Sequence, residues 1–562
     1  VPVDVATVPA LAGSLVRGTA WARSGDGVVA AHTGIGRGTV TLVGFNPADS
    51  WLAGTESGRA LWRRVLPPAA GPQLNPLMIT DDSAFVSALN NLPSIDLPPI
   101  EQLFLLLFAY VALIGPINYM VLRRLDKREW AWVTMPALVA IFAVASYGMG
   151  ASLKGSDVII NEVAIVRAGE GTDRGLGQVY VGVFSPSRRT FDVRVGDGAL
   201  LTNPGSQNQM GQPELPLDVL FGERSQLRNF EVGFGLLRGF RAEAPTRAPL
   251  IEADLRLARG RVEGTVTNRS DRSLEHVAIS YAGGVDVLDS LAAGESKEVS
   301  IDTSDALMEY QLSERIFGSI PPRDAAQARA VYTRRTVIDQ LSGYGSGASG
   351  ANADAPLLMG WQPGQVLDVE LVGERPNRVG DSLFLVPLSM TVDREALFTD
   401  RMLVKTVVEN NSGEGFVEGT SYFLDRGAMI VEARPGALDG ALAVRSLELA
   451  LAQDDQIRLR GSGTPISPLP EAEQPDQDDP VGEPDDAGAG GFEDLPRFQL
   501  FDHGAQRWYE FPEAVSGSTY LINDAQRFVD PSGRVLVRLV NRDNLNEPKY
   551  FSLLMRLEGT IE

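Results

Sequence analysis

The chain has 562 residues, 72 acidic against 50 basic, a net charge of −22 and no cysteine. That balance excludes a nucleic-acid binder built on a basic patch, and the lack of thiols excludes a disulfide framework or a thiolate metal site. At roughly 100–200 residues per domain the length holds about three to five units, and a mean hydropathy of −0.03 excludes a polytopic transporter.

The basic residues are nearly all arginine, a compositional mark of a GC-rich bacterial genome. The chain opens on Val1 without a charged n-region and apolar h-region, so no signal peptide is visible there. Residues 1–75 read as the end of an α/β domain, and a fragment is expected. Val28–His32 and Val40–Phe45 are short strands joined by a glycine-rich turn, and Gly58–Leu66 has helical spacing. Residues 76–100, rich in Pro, Asn and Asp, form a connector.

Two uncharged apolar runs follow, 103–122 and 133–153, inside an anchor spanning 101–154. At about 1.5 Å per residue each is long enough to cross the roughly 30 Å hydrocarbon core of a bilayer. A charge at the centre of such a helix costs roughly 2.5–3.5 kcal/mol, so the absence of charge is informative. Gly115-Pro116 is expected to kink the first helix, because proline lacks the N–H and crowds the preceding turn. Asn118 is its one strongly polar side chain, suited to interhelical hydrogen bonding or headgroup contact. Ala140, Ser146 and Gly148 give the second helix a small-residue surface for close packing on the first helix or on a partner. The loop 123–132 carries Arg123, Arg124, Lys127 and Arg128 against two acids, with Trp130 and Trp132 suited to the headgroup belt. The 15 residues before the first helix hold no Lys or Arg, and the 15 after the second hold two, Lys154 and Arg167. The positive-inside rule then places the loop in the cytoplasm and both soluble flanks outside.

Residues 155–303 show short strands every 8–12 residues with Gly, Asn and Asp between them, the pattern of a β-sandwich. Residues 304–354 are a helical segment, with Ala328, Val331, Arg335, Ile338 and Leu341 at helical spacing, then a Gly/Ser linker. A further β module occupies 355–465. The stretch 466–494 has ten acids, no bases and five prolines, and is expected to be disordered. A last β unit fills 495–562. The fold class expected is multidomain and mainly β, with a two-helix transmembrane hairpin, a partial α/β unit at the N-terminus and β-sandwich modules after the membrane.

The candidate chemistry is thin. His32, His276 and His503 lie in three different units and none has a metal-spaced partner. Gly34-x-Gly36-x-Gly38 reads as a tight turn, not a phosphate cradle, because no helix follows it. Asp81-Asp82 and the Asp476-x-Asp478-Asp479 cluster lack the spaced acids of a calcium loop and read as solvated. No catalytic, cofactor-binding or metal residue is assigned.

Two resemblances add to this. Gly264-Thr-Val-Thr-Asn268, Leu274 and Leu291-Ala-Ala-Gly294-Glu295-Ser296 resemble bacterial extracytoplasmic immunoglobulin-like modules. Gly38-Thr-Val-Thr-Leu-Val-Gly-Phe45-Asn46-Pro47-Ala48 resembles the late strand of class I glutamine-amidotransferase-like domains, where Phe-His-Pro-Glu completes a triad with an upstream cysteine. Here Asn46 and Ala48 stand at the His and Glu positions, so the resemblance implies a degenerate, non-hydrolytic member. With Gly115-Pro116-Ile117-Asn118-Tyr119 and Arg123-Arg124, the order of parts resembles a group of poorly characterised bacterial membrane proteins with amidotransferase-like extracytoplasmic domains. That implies a two-pass protein of the bacterial cytoplasmic membrane, in contact with lipid and other envelope or membrane proteins, and no nucleic acid. The leading expectation is a non-catalytic envelope scaffold or binding protein. The alternatives are a subunit of an envelope enzyme whose catalytic half lies upstream of Val1, or an accessory subunit of a transporter.

Overall fold

The computed structural model describes residues 10–46, 82–89, 100–153, 157–204, 216–303, 312–341, 355–470 and 495–562, apart from a few positions within these ranges. The protein is mainly β, built from several sheets. Near the N-terminus β1 (Thr19–Ser24), β2 (Gly27–Ile35) and β3 (Gly38–Val43) form an antiparallel meander in which β2 and β3 take up Gly34 and Gly38 of the glycine-rich stretch, Ile35 lying opposite Gly38. The helix expected over 58–66, the Gly/Ser linker and nearly all of the acidic stretch lie outside the described residues. The connector contains a helix that its composition does not suggest, α1 (Ser83–Leu89).

After the apolar helices come β4 (Ile159–Ala168), β5 (Arg174–Ser185), β6 (Arg189–Val195), β7 (Leu200–Thr202), β8 (Asp218–Leu220), β9 (Ser225–Val232) and β10 (Leu236–Arg247). They are followed by β11 (Ile251–Ala258), β12 (Arg261–Asn268), β13 (Leu274–Tyr281), β14 (Gly284–Leu291) and β15 (Ser296–Asp302). Beyond the helical segment lie β16 (Leu357–Pro363), β17 (Val369–Leu371), β18 (Asn377–Pro387) and β19 (Thr391–Val392).

An eight-stranded sheet in the order β14-β13-β16-β18-β4-β5-β10-β7 is the backbone of this body. Strands from before and after the helical segment, expected in separate modules, are neighbours in it: β16 pairs with β13, and β18 runs parallel to β4. β4 is buried along nearly its whole length, so it reads as a continuous apolar run with no alternation to show which neighbour it takes. Two smaller sheets cover one face. β17-β6-β9-β8 packs over β4, β5 and β10, around Ile160, Val181, Val193, Phe230 and Phe240. β15-β12-β11-β19 packs over β13, β16 and β18, around Leu255, Val266, Ile279, Leu358 and Phe384. The opposite face is covered by α1 and by helices from the 304–354 segment. Residues 395–562 add a seven-stranded and a five-stranded sheet whose core is continuous with the second of these layers.

Where the chain crosses from one layer to the other, between β16 and β17, β4 supplies a buried acid. Glu162 is fully buried; its Oε1 accepts the Val366 N–H at 2.6 Å, and Oε2 has no partner among the described residues. Burial pushes its pKa up to about 7, against the pull of the Val366 and Leu367 amides and of Arg378. The folded state therefore holds a proton that the unfolded chain releases above 4.5, so stability falls as pH rises from there to about 7. Glu162→Gln keeps the acceptor and removes the titration. Its melting temperature should exceed that of the parent at pH 8 and lose most of the dependence on pH between 5 and 7. The slope at stake is at most about 1.4 kcal/mol per pH unit.

Candidate functional site

The region that composition singles out is the apolar pair and its junction with the body. The first rod, α2, runs as an α-helix over Ile100–Ala112, passes through a π-helical turn Leu113–Ile117 and ends as an α-helix over Asn118–Arg124. Pro116 lies inside that turn, and the Asn118 N–H reaches back five residues to the Leu113 carbonyl. The helix thus absorbs the missing proline N–H by widening its ring locally. A 3-10 turn, Arg128–Trp130, leads into the second rod, α3 (Ala131–Leu153). Tyr110 of α2 meets Phe142 of α3 edge-on, with centroids 5.2 Å apart, so the rods pack on each other.

By length and composition Phe104–Arg124 suffices to cross a membrane, with only 11% of its apolar window buried by protein; the described apolar stretch of α3, Ala131–Val144, is shorter. Phe108 and Val144 are each 72% exposed. These rods are not the core of a globule. Asn118, in contrast, is buried, and its amide nitrogen has no hydrogen-bond partner among the described residues. Ala140, Ser146 and Gly148 are exposed on α3, and a side chain added at Gly115 or Gly148 would meet nothing within 4 Å. Arg123 and Arg124 close the last turn of α2, where cations suit the helix dipole, and Trp130 and Trp132 are exposed beside them. Lys127 and the Arg128 side chain lie outside the described residues.

The junction is a polar clamp that the sequence does not announce. α1 precedes the rods, yet it docks on the sheet that follows them. Phe85 stacks on Tyr180 of β5, centroids 4.6 Å apart and rings 8° from parallel. The Tyr180 hydroxyl donates to Asp82 Oδ1 at 2.5 Å and accepts from Gln178 at 2.8 Å. Arg241 of β10 pairs with Asp82 at 3.2 Å and with Glu243 at 2.5 Å. Asn161 of β4 donates to the Leu89 carbonyl at 2.8 Å, closing a loop of 72 residues that contains both rods. Burial and the acceptor Asp82 hold the Tyr180 phenol protonated well above its ordinary range. Asp82, which reads from sequence as solvated, is only 2% exposed; the acid is spent on the tyrosine and the arginine. Asp81 lies outside the described residues.

A second clamp holds the other helices. These are α4 (Leu312–Phe317) and α5 (Ala325–Leu341). Arg334 of α5 is buried and grips Asp381 of β18 through two bonds, at 2.6 and 3.0 Å. It also reaches Glu275 at 3.0 Å and His276 Nδ1 at 2.7 Å, and lies over Trp361. Burial raises the Asp381 pKa despite Arg334, and burial with the Arg334 charge holds His276 below 6.5. The inward side of α5 holds Val337 and the expected Ile338 and Leu341, and its buried arginine is Arg334 where spacing suggests Arg335. An arginine enters the core only because Asp381 and Glu275 meet it there.

Neither cluster presents a nucleophile beside a base, since the partner of His276 is a guanidinium that cannot take a proton. Among the described residues no three His, Cys, Asp or Glu side chains are placed to hold a metal ion. His32 and Asn46 are exposed, on β2 and just after β3, and Ala48 lies outside the described residues.

Comparison with known proteins adds one family. A domain of unknown function, DUF8725, matches residues 250–391, from β11 to β19. No curated protein matches the chain. Solved structures similar to it include the yeast delta-COP-I mu-homology domain complexed with a Dsl1 WxWxV peptide. It is 7% identical and covers 42% of this chain and 98% of its own, with a TM-score of 0.21. The yeast delta-COP-I mu-homology domain in a second structure matches with the same identity and coverage and a TM-score of 0.20. At those scores the likeness carries no functional weight.

Two outcomes check the clamps. Phe85→Ala removes the stacked ring, a change that costs about 3–5 kcal/mol in a packed core. Amide exchange over 83–89 should then become fast, while the sheets of 395–562 keep their protection. Arg334→Ala leaves Asp381 buried without its partner and should lower stability by about 3–5 kcal/mol in denaturant unfolding, with Arg334→Lys restoring only part.

Proposed function

We propose that this chain is a membrane-anchored scaffold or binding protein of a bacterial envelope, held by α2 and α3 as a two-pass hairpin. One observation carries the reading: α1, before the rods, and β4, after them, are fixed to the same sheet, with Asn161 bonded to Leu89. Two flanks joined in one core lie on one side of any bilayer, so the segment between them crosses it an even number of times. The uncovered apolar surface of both rods supports lipid as their surroundings. The basic loop puts the turn in the cytoplasm and the β body outside.

The body is read as non-catalytic, because the ionic clusters around Asp82 and Arg334 are engaged in docking helices and it offers many loops and sheet edges for protein contact. The meander near the N-terminus is read as part of a degenerate amidotransferase-like α/β unit. Asn46 stands where that chemistry needs a base, so Asn46→Ala should leave any activity unchanged.

Alkaline phosphatase fused after residue 160 should be active and fused within 123–132 inactive, and the protein should stay in the pellet after carbonate washing of membranes. The reverse fusion pattern overturns the orientation, and release by carbonate overturns the anchor.

A further inference from the structure

We infer that the end of the β body nearest the hairpin is itself a lipid-contact surface, which seats the body on a bilayer carrying anionic headgroups. The inference rests on the hairpin reading above, and it adds a second point of membrane contact outside the spanning helices.

Strand register locates this end. Only five residues separate Leu153 of α3 from Ile159 of β4, a reach of no more than about 20 Å. Ile159 lies opposite Phe184 at the end of β5, and Ser185 lies opposite Leu236 at the start of β10. β18 runs parallel to β4 and begins with Asn377 beside Ile159. In the covering sheet β9 ends at Val232 opposite Arg189, the first residue of β6, and the Val372 N–H is bonded to the Asp192 carbonyl. The segments 185–189, 231–238 and 372–378 therefore form one rim, at the level where the chain leaves α3.

Two features of that rim suit it to a lipid surface when taken together. First, its β9–β10 turn presents large apolar side chains to solvent: Phe234 is 64% and Leu236 62% exposed. Neither belongs to the core, while the next residue, Leu237, packs on Ile159 and Phe184 and makes the turn stiff. Second, the three segments hold five arginines against two glutamates, in a chain of net charge −22. Arg188 is paired with Glu231 and Arg189 with Glu374, while Arg375 and Arg378 are exposed, the latter also donating to Gln365 at 3.0 Å. Asp157, leading into β4, reduces the local excess from three to two. Exposed Phe and Leu flanked by arginine, held close to a bilayer, is the composition of an interfacial anchor: rings enter the headgroup boundary and guanidinium groups meet phosphates.

The molecule supplies an internal control. Phe221, 63% exposed, follows β8 at the opposite end of β9, since Leu220 pairs with Gln226 near the start of that strand. Because the chain has no cysteine, Phe234→Cys and Phe221→Cys each give one labelling site. The full chain, carrying an environment-sensitive fluorophore, is reconstituted in phosphatidylcholine vesicles with or without phosphatidylglycerol. The label at 234 should be blue-shifted, and a lipid-borne nitroxide should quench it roughly twofold or more beyond the label at 221. Phosphatidylglycerol should increase that difference, and Arg375→Gln with Arg378→Gln should abolish the increase. Equal, water-like emission from both labels in protein that resists carbonate overturns the inference and leaves the anchor standing. Release by carbonate overturns the anchor and this inference with it. Quenching at 234 that is indifferent to phosphatidylglycerol overturns the anionic preference.

Discussion

Phe85 lies flat on Tyr180 while Asp82 accepts that tyrosine's hydroxyl, and these contacts fasten a segment made before the apolar rods to strands made after them. The rest of the architecture follows from this fastening. It gives the two flanks of the rods one shared core, so neither flank is an independent appendage. It also sets the direction in which the chain leaves the body, because α1 descends from the level of Tyr180 to Leu89, beside Asn161 at the end of the sheet where β4 begins.

Two clusters of buried polar groups in this body serve to dock helices. Asp82, Arg241 and Tyr180 hold α1; Arg334, Asp381 and Glu275 hold α5. Buried ion pairs of this kind contribute little net stability, yet breaking one half strands the other, so they fix which helix sits where. Glu162 works differently. It holds the crossover from β16 to β17 through the Val366 amide, with a raised pKa as the cost of its burial.

Part of this was legible in the sequence. The apolar runs, the dominance of strands and the helix before residue 341 follow from periodicity and the absence of charge. α1 was hidden because seven residues carry too few turns to show a period, and because Pro, Asn and Asp surround it. Asp82 read as solvated because nothing local reveals a tyrosine 98 residues away. The union of β13, β16, β18 and β4 in one sheet was invisible for a related reason. Strands buried on both faces lose the alternation that identifies an exposed side, and partner choice then rests on contacts distant in sequence. In α5 the expected Ile338 and Leu341 do face the core, but the arginine that enters it is Arg334 and not Arg335, because Asp381 and Glu275 meet it there and helical spacing cannot tell the two apart.

The loop closed by Asn161 and Leu89 also dictates an order of biogenesis. On the hairpin reading, α1 has no surface to dock on until β4, β5 and β10 have been synthesised, and by then both rods have left the ribosome and entered lipid. The contact of α1 with the body is thus made only after both rods have been synthesised. Until those strands exist, Phe85, Ala88 and Leu89 have no partner surface and stay bare.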